Sequence, residues 1–329
     1  MVVSEKAIGS RATGQPDRVA RLVVATINWN GGDDTAACLE SLARERAAGS
    51  DFECIVVDNA SDDGSPQRLA AEFPWARMVC LDTNRGFAGG GNEGIRIAMD
   101  EGADLVLLLN NDTAVEPGFI RAMLAAADDP DNSEFGLFTS VITEWEDPDR
   151  IWSAGGAVHL ATCTIGNRRR LPAHGAAVVR CDFATGCCMM IRRQTIADVG
   201  VMDESLFAYV EDVELSLRAA RAGWWTGLVP GASMRHRISS SMRRNTLAGQ
   251  GGLGSATQHY YNIRNRYIVL RRYGSASEKA LGLTVHTLRH VGLLLGQLLL
   301  GRTNKVAMTA RAIADGVRMR GGPAPAVRR

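Results

Sequence analysis

Between Arg21 and Asp129, four apolar runs of strand length alternate with four segments of helical character, and every run ends in polar residues. The runs are RLVVATINWN (21–30), FECIVVD (52–58), ARMVCLDTN (76–84) and ADLVLLLNNDT (103–113). The segments between them are DTAACLESLARERAA (34–48), PQRLAAEF (66–73), GFAGGGNEGIRIAMDEG (86–102) and PGFIRAMLAAADD (117–129). Continuous rather than alternating aliphatics predict strands covered on both faces. Helices between successive strands predict a parallel sheet in an α/β fold. The third segment is expected to open as a glycine-rich turn that feeds its helix. In such a sheet the ligand lies beyond the carboxyl ends of the strands. Those ends here carry Asn28 and Trp29, Asp58, Asn84 and Arg85, and Asn110 to Asp112.

The pattern loosens after residue 135. FGLFTSVIT predicts a strand, and 150–172 an irregular β-rich insertion. The stretch 178–200 predicts a strand and then a helix. A helix is expected from about Val210, and a strand within 225–241. Gly249 to Gly254 read as a mobile loop. From Ser255 the chain reads as helical and basic. With 329 residues there is room for one large domain or two small ones.

The net charge of +1 conceals an asymmetry. Residues 1–230 hold 20 Lys/Arg against 34 Asp/Glu, whereas residues 231–329 hold 17 against 2. A solvated tail is the plain alternative; a tail facing nucleotide phosphates, a phospholipid surface or a phosphorylated acceptor is the sharper one. Seven cysteines without a Cys-x-x-Cys pair read as small buried hydrophobes in a reducing cytosol. The first 20 residues lack the apolar centre of a signal peptide and read as a disordered leader. The nearest approach to a membrane span, Ala280 to Gly301, contains Arg289 and two histidines, so it is expected to be a packed or peripheral amphipathic helix.

Several groups suit chemistry. Asp58, at a strand end, suits a nucleobase imide or a ribose hydroxyl; a helix cap is the alternative. Gly89, Gly91 and Gly94 match the dinucleotide fingerprint, with Asp112 downstream as a ribose acid, which keeps an NAD-dependent oxidoreductase open. Asp112, ending a buried strand, suits Mg2+ or Mn2+ on a diphosphate, because such ions need only one or two carboxylates beside phosphate oxygens and water. Asn110 and Asn111 can bond sugar hydroxyls without adding charge. Glu211 and Asp212 open a predicted helix, where a carboxylate is held as the anion that a general base requires. His236, ending a predicted strand, is a candidate second metal ligand.

Taken in order, VVATINWNGG, IVVDNASDDGS, NRGFAGGGNEG, LLLNNDT, TGCCMMIRR, FAYVEDVELSLRAARAGW and PGASMRHRISSS resemble the family 2 inverting glycosyltransferases of GT-A fold. The likeness is greatest to the rhamnosyltransferase-like subgroup. It covers residues 21 to about 241 and implies a Rossmann-like, mostly parallel sheet with helices on both faces, plus a basic helical C-terminal extension. The implied organisation is a leader (1–20), a GT-A domain (21–245) and a C-terminal part (246–329). Within the domain, 21–130 would bind nucleotide and 131–245 the acceptor. Asn28, Trp29 and Asp58 would line the base and ribose pocket, with Arg85 and Gly86 adjoining the nucleotide. Asn110 to Asp112 stand at the family's Asp-x-Asp motif, here with asparagine first; Asp112 and His236 would hold the metal. Asp212, beside Glu211, would be the base, and Gly186 would flank the sugar. The implied reaction moves a sugar from a dTDP- or UDP-linked donor to an acceptor hydroxyl on a glycan, lipid-linked saccharide or small metabolite. A nucleotide-sugar-binding protein without turnover is the other alternative. A cytoplasmic chain, with peripheral membrane contact or self-association through the basic end and no nucleic-acid partner, is expected.

Overall fold

The computed structural model describes residues 20–172, 176–237 and 256–324. The predicted leader up to Val19, the Ser239–Ser241 run and the Gly249–Gly254 loop lie outside the described residues. The four runs and segments form β1 (Leu22–Asn28), α1 (Gly32–Ala47), β2 (Glu53–Asp58), α2 (Ser65–Glu72), β3 (Arg77–Cys80), α3 (Gly86–Asp100), β4 (Leu105–Asn110), β5 (Thr113–Val115) and α4 (Phe119–Asp128). The looser half gives β6 (Phe135–Glu144), β7 (Asp147–Ala154), β8 (Gly156–His159), β9 (Thr164–Asn167) and β10 (Val179–Cys181). It continues through β11 (Cys188–Arg192), α5 (Arg193–Val199), α6 (Glu211–Arg221) and β12 (Trp225–His236). Among the described residues the last helices are α7 (Ala256–Tyr273), α8 (Ala276–Leu299) and α9 (Thr303–Val317).

One sheet runs in the order β10-β12-β6-β11-β4-β1-β2-β3, with β5 beside β12 and β7 beside β6. β4, β1, β2 and β3 are parallel, as are β6 and β12. β11 runs antiparallel between β4 and β6 and joins the two halves. The continuous aliphatics are used on both faces. Leu105, Leu107 and Leu109 pack under α1, α2 and α4 with Leu39, Leu69 and Phe119. Val106 and Leu108 pack under α3, α5 and α6 with Ile95, Ile196 and Leu215. Each such fully buried aliphatic stabilises the fold by about 1.5–3 kcal/mol.

Two local expectations change. The glycine-rich stretch after Arg85 is helix from Gly86 onward rather than a turn before one. Helix α3 presses so closely on the sheet that a Cβ at Gly94 would stand 2.7 Å from the Ala25 Cβ; tight packing outweighs glycine's poor helix propensity. Of the seven cysteines, Cys80 on edge strand β3 is exposed while the other six are buried, and all are free thiols.

Helix α8 is inverted in polarity. Its buried positions include His286, His290 and Gln297, whereas Leu281, Leu288, Val291, Leu295, Leu298 and Leu299 are exposed. His286 Nε2 lies 3.2 Å from the Ile263 carbonyl, and its ring packs edge-on against Tyr267, so α7 supplies a polar and aromatic partner to that face. No helix among the described residues is long and apolar enough to cross a membrane.

Candidate active site

Strand register gathers the distant motifs. Cys188 on β11 stands opposite Leu109, which brings Gly186 and Cys187 to the Asn110 end of β4. His236 on β12 stands opposite Thr113 on β5, which brings it beside Asp112. His236 Nε2 lies 3.2 Å from Asp112 Oδ1 and 3.7 Å from Cys187 Sγ. The Trp152 ring packs on the imidazole at 4.9 Å. The ion pair is off the line of a hydrogen bond, so Asp112 Oδ1 is a buried acceptor without one. Burial works against charging His236, yet the Cys187 sulfur and the Asp112 carboxylate outweigh it and push the imidazole up to about 11. A carboxylate oxygen lacking a hydrogen bond beside an imidazole fits an oxygen-preferring divalent ion completed by diphosphate oxygens. No cluster of three or more His, Cys, Asp or Glu suited to a metal occurs among the described residues, so any ion here would need donors beyond these two side chains.

Asp212 reaches the same place from the other side. It sits at the N-terminus of α6, where the Gly186 N–H donates to Oδ2 at 2.8 Å and the Val213 N–H donates to Oδ1 at 2.7 Å. Contacts therefore run from Asp212 through Gly186 and Cys187 to His236 and Asp112. Burial raises the Asp212 carboxyl, opposed by those two N–H groups. The neighbouring Glu211 is buried with Oε2 unpartnered. Burial first, and the charge of Asp212 second, hold Glu211 well above the ordinary glutamate value. Of two coupled carboxyls, the one with more compensation is the anion. Glu211 thus keeps the proton and Asp212 carries the charge. The Tyr209 phenol is pushed up to about 12, chiefly by burial.

At the carboxyl ends of β1 and β2, on the same sheet edge as Asn110, Asn28 is fully buried and its amide is engaged: Nδ2 donates to Asp58 Oδ1 at 2.7 Å and to Ser65 at 2.8 Å, while Oδ1 accepts from Thr35 at 2.8 Å. Its amide therefore faces Asp58, Ser65 and Thr35 rather than solvent and orients Asp58. Asp58 also accepts from the Ser61 hydroxyl and N–H. Trp29 is 58% exposed. Asn111 donates to the Thr35 hydroxyl at 2.9 Å, and Asn110 Nδ2 lies 3.4 Å from Cys187 Sγ. Arg85 and Gly86 stand differently from the reading that set them against the nucleotide. The Arg85 guanidinium is turned to Glu204 and Glu93, at 3.0 and 3.2 Å. Gly86 lies under Phe207, whose carbonyl oxygen a Cβ there would approach to 2.3 Å. The fingerprint glycines lie within α3, Gly89 against Arg85 and Gly91 and Gly94 against Met202 and the sheet, rather than in a phosphate-binding turn, so the oxidoreductase alternative loses its motif.

Motif reading missed the segment before Glu211. Phe207, Tyr209 and Val210 all have positive φ, at 66°, 65° and 72°, a conformation that costs non-glycine residues about 1–3 kcal/mol each. It also missed Arg264 and Asn265, which are fully buried against that segment. Their signal was present: Tyr260, Tyr261, Arg264, Asn265 and Ile268 share one helical face, so two polar residues occupy core spacing.

Comparison with known proteins follows the same lines. The profile of Glycosyl transferase family 2 matches residues 23–200. The N-acetylglucosaminyl-diphospho-decaprenol L-rhamnosyltransferase of Mycobacterium tuberculosis is 29% identical over 238 residues, covering 62% of this chain and 71% of that protein. The dTDP-rhamnosyl transferase RfbF of Shigella flexneri is 24% identical over 272 residues, covering 80% and 86%. Among solved structures, GalNAc-T7 with UDP, GalNAc and Mn2+ shares the fold at a TM-score of 0.56 and 13% identity, covering 82% of this chain and 55% of that one.

Proposed function

The chain belongs to glycosyl transferase family 2 and is a glycosyltransferase; we propose that it transfers rhamnose from dTDP-rhamnose to the hydroxyl of a lipid-linked saccharide in one inverting, metal-assisted displacement. The observation that carries the reading is the unbroken contact path from Asp212 to Asp112 through Gly186, Cys187 and His236. Asp212 takes the proton of the acceptor hydroxyl as that oxygen bonds to the anomeric carbon. The bond from that carbon to the diphosphate oxygen breaks on the opposite face, and the nucleoside diphosphate leaves with the electron pair. A single attack inverts the configuration. Asp112 and His236 would hold Mg2+ or Mn2+, which when bound offsets charge on the diphosphate. Asp58 and Trp29 serve the nucleoside, the first by accepting hydrogen bonds and the second by stacking. Asn110, Asn111 and Gly186 border the sugar. Glu211 stays protonated and keeps a second negative charge away from the base.

The names of the two relatives favour a rhamnosyl donor and, in one case, a diphospho-polyprenol acceptor. UDP-sugars and soluble acceptors are the competing outcomes. Purified protein with Mn2+, dTDP-rhamnose and an N-acetylglucosaminyl-diphospho-lipid is expected to release dTDP only when the acceptor is present and to give an inverted linkage by NMR. Nucleotide binding without transfer to any acceptor would instead mark an inactive binding protein.

A lipid-linked acceptor places the enzyme at a membrane surface, and α8 suits that contact. Its outward leucines sit in a segment, residues 256–324, with 11 Lys/Arg against 2 Asp/Glu. An anionic lipid surface complements that charge, whereas a homodimer through this face would oppose two basic segments. The protein is expected to float with phosphatidylglycerol vesicles and not with phosphatidylcholine vesicles, and Leu288→Glu with Leu295→Glu is expected to abolish flotation. A doubled solution mass lost in the same variant, without vesicle binding, would assign the face to self-association.

A further inference from the structure

Helix α7, in the C-terminal part of the chain, grips the segment that delivers the candidate base. Asn265 Nδ2 lies within bonding distance of three main-chain carbonyls: Leu206 at 3.0 Å, Ala208 at 3.0 Å and Tyr209 at 2.6 Å. Its Oδ1 accepts from Arg264 Nε at 2.8 Å, so only one orientation of the amide satisfies both ends. Arg264 donates to the carbonyls of Leu206 at 2.8 Å and Ser205 at 3.2 Å, and its remaining Nη donates to Gly322. The guanidinium lies over the Tyr260 and Tyr261 rings, and Tyr261 stacks on Phe207 at 5.3 Å. From the opposite side the Phe207 carbonyl accepts from the Ala88 N–H at 3.0 Å.

Three non-glycine residues at positive φ within four positions are held only where the surroundings over-determine them. Here the over-determination comes from two buried side chains 56 to 59 residues downstream. The strained turn ends at Val210, and Glu211 and Asp212 follow at once. A relaxed turn would rotate the first residues of α6 and move the Asp212 carboxylate off the Gly186 N–H.

We propose that Arg264 and Asn265 are positioning residues for the reaction, holding Ser205–Val210 in its strained turn so that Asp212 meets the acceptor hydroxyl at bonding distance and angle. The proposal rests on the reading of Asp212 as the base. Asn265→Ala removes the amide; Asn265→Asp keeps the volume but turns an oxygen toward three carbonyl oxygens. Both are expected to lower kcat by about 10²-fold, the effect of a misplacement near 1 Å, with the KM for the donor and nucleotide affinity unchanged. Both are also expected to move the acid limb of the kcat profile to lower pH, because burial is the larger influence on Asp212 and water admitted by a loosened turn outweighs the loss of the Gly186 N–H. Tyr261→Leu, which removes only the ring stacked on Phe207, gives a smaller loss with the same sense of shift, and serves if the Asn265 variants do not fold. The proposal is overturned if a folded variant keeps its kcat. It is equally overturned if lost activity follows the folded fraction on denaturant titration while the pH profile stays in place. An inactive Asp212→Asn beside fully active Asn265 variants would sink the positioning role alone; an active Asp212→Asn would sink the base.

Discussion

Asp212→Asn is expected to lower kcat by about 10²–10⁴-fold, the usual contribution of a positioned general base, while nucleotide affinity stays at the wild-type value. The substitution keeps the shape of the side chain but offers one acceptor oxygen to two N–H donors, Gly186 and Val213. One of those donors must then face an amide, so a modest fall in melting temperature accompanies the loss. Wild-type activity should rise with pH on the acid side as Asp212 gives up its proton. Because burial raises this carboxyl, the limb should lie above the ordinary aspartate value and should vanish in the variant. Stopped assays of sugar transfer across pH measure both effects. A variant retaining more than about a tenth of wild-type turnover would fall outside the range for a base and would return the assignment to Glu211 or to another group.

The second large effect concerns Asp112 and His236. Asp112→Asn or His236→Ala is expected to reduce kcat/KM for the donor by on the order of a thousandfold, since a bound cation supplies several kcal/mol at a leaving diphosphate. The stronger test reads binding alone. Calorimetric titration with dTDP should show Mn2+-dependent tightening in the wild type and none in either variant. In the free chain the imidazole is held up to about 11 and is protonated at neutral pH. Metal binding at His236 must therefore displace a proton, and apparent Mn2+ affinity should fall as the pH is lowered. Pairing both substitutions should add little to either one, because each would remove a ligand of the one proposed ion. Mn2+-dependent binding that persists in both variants would move the cation elsewhere.

Much of this was legible in the chain itself. Unbroken aliphatic runs made β1, β2 and β4 readable, because a strand buried on both faces leaves no polar alternation. The polar tips at Asn28, Asp58 and Asp112 followed from the strand ends. What stayed hidden depends on register and on contacts between distant segments. Nothing local in MRHR says that His236 stands opposite Thr113; the pairing of β12 with β5 decides it. Asn28 read as a pocket residue from its place at a strand end, but its amide is spent on Asp58, Ser65 and Thr35. The leucine stripe of α8 suggests a buried face, yet α7 receives the histidines instead. Glycines after Arg85 read as a turn because their intrinsic propensity is low, and close contact with Ala25 overrides it.

The joining of residues 205–210 to 264–265 restricts how such enzymes can be recombined. A chimera that takes its final helices from one parent and its sheet from another would mismatch a lock with its key, even if every sheet residue bordering the cleft were native. Exchange of acceptor preference by grafting the final helices should therefore carry the turn from Ser205 to Val210 with it, as one inherited unit.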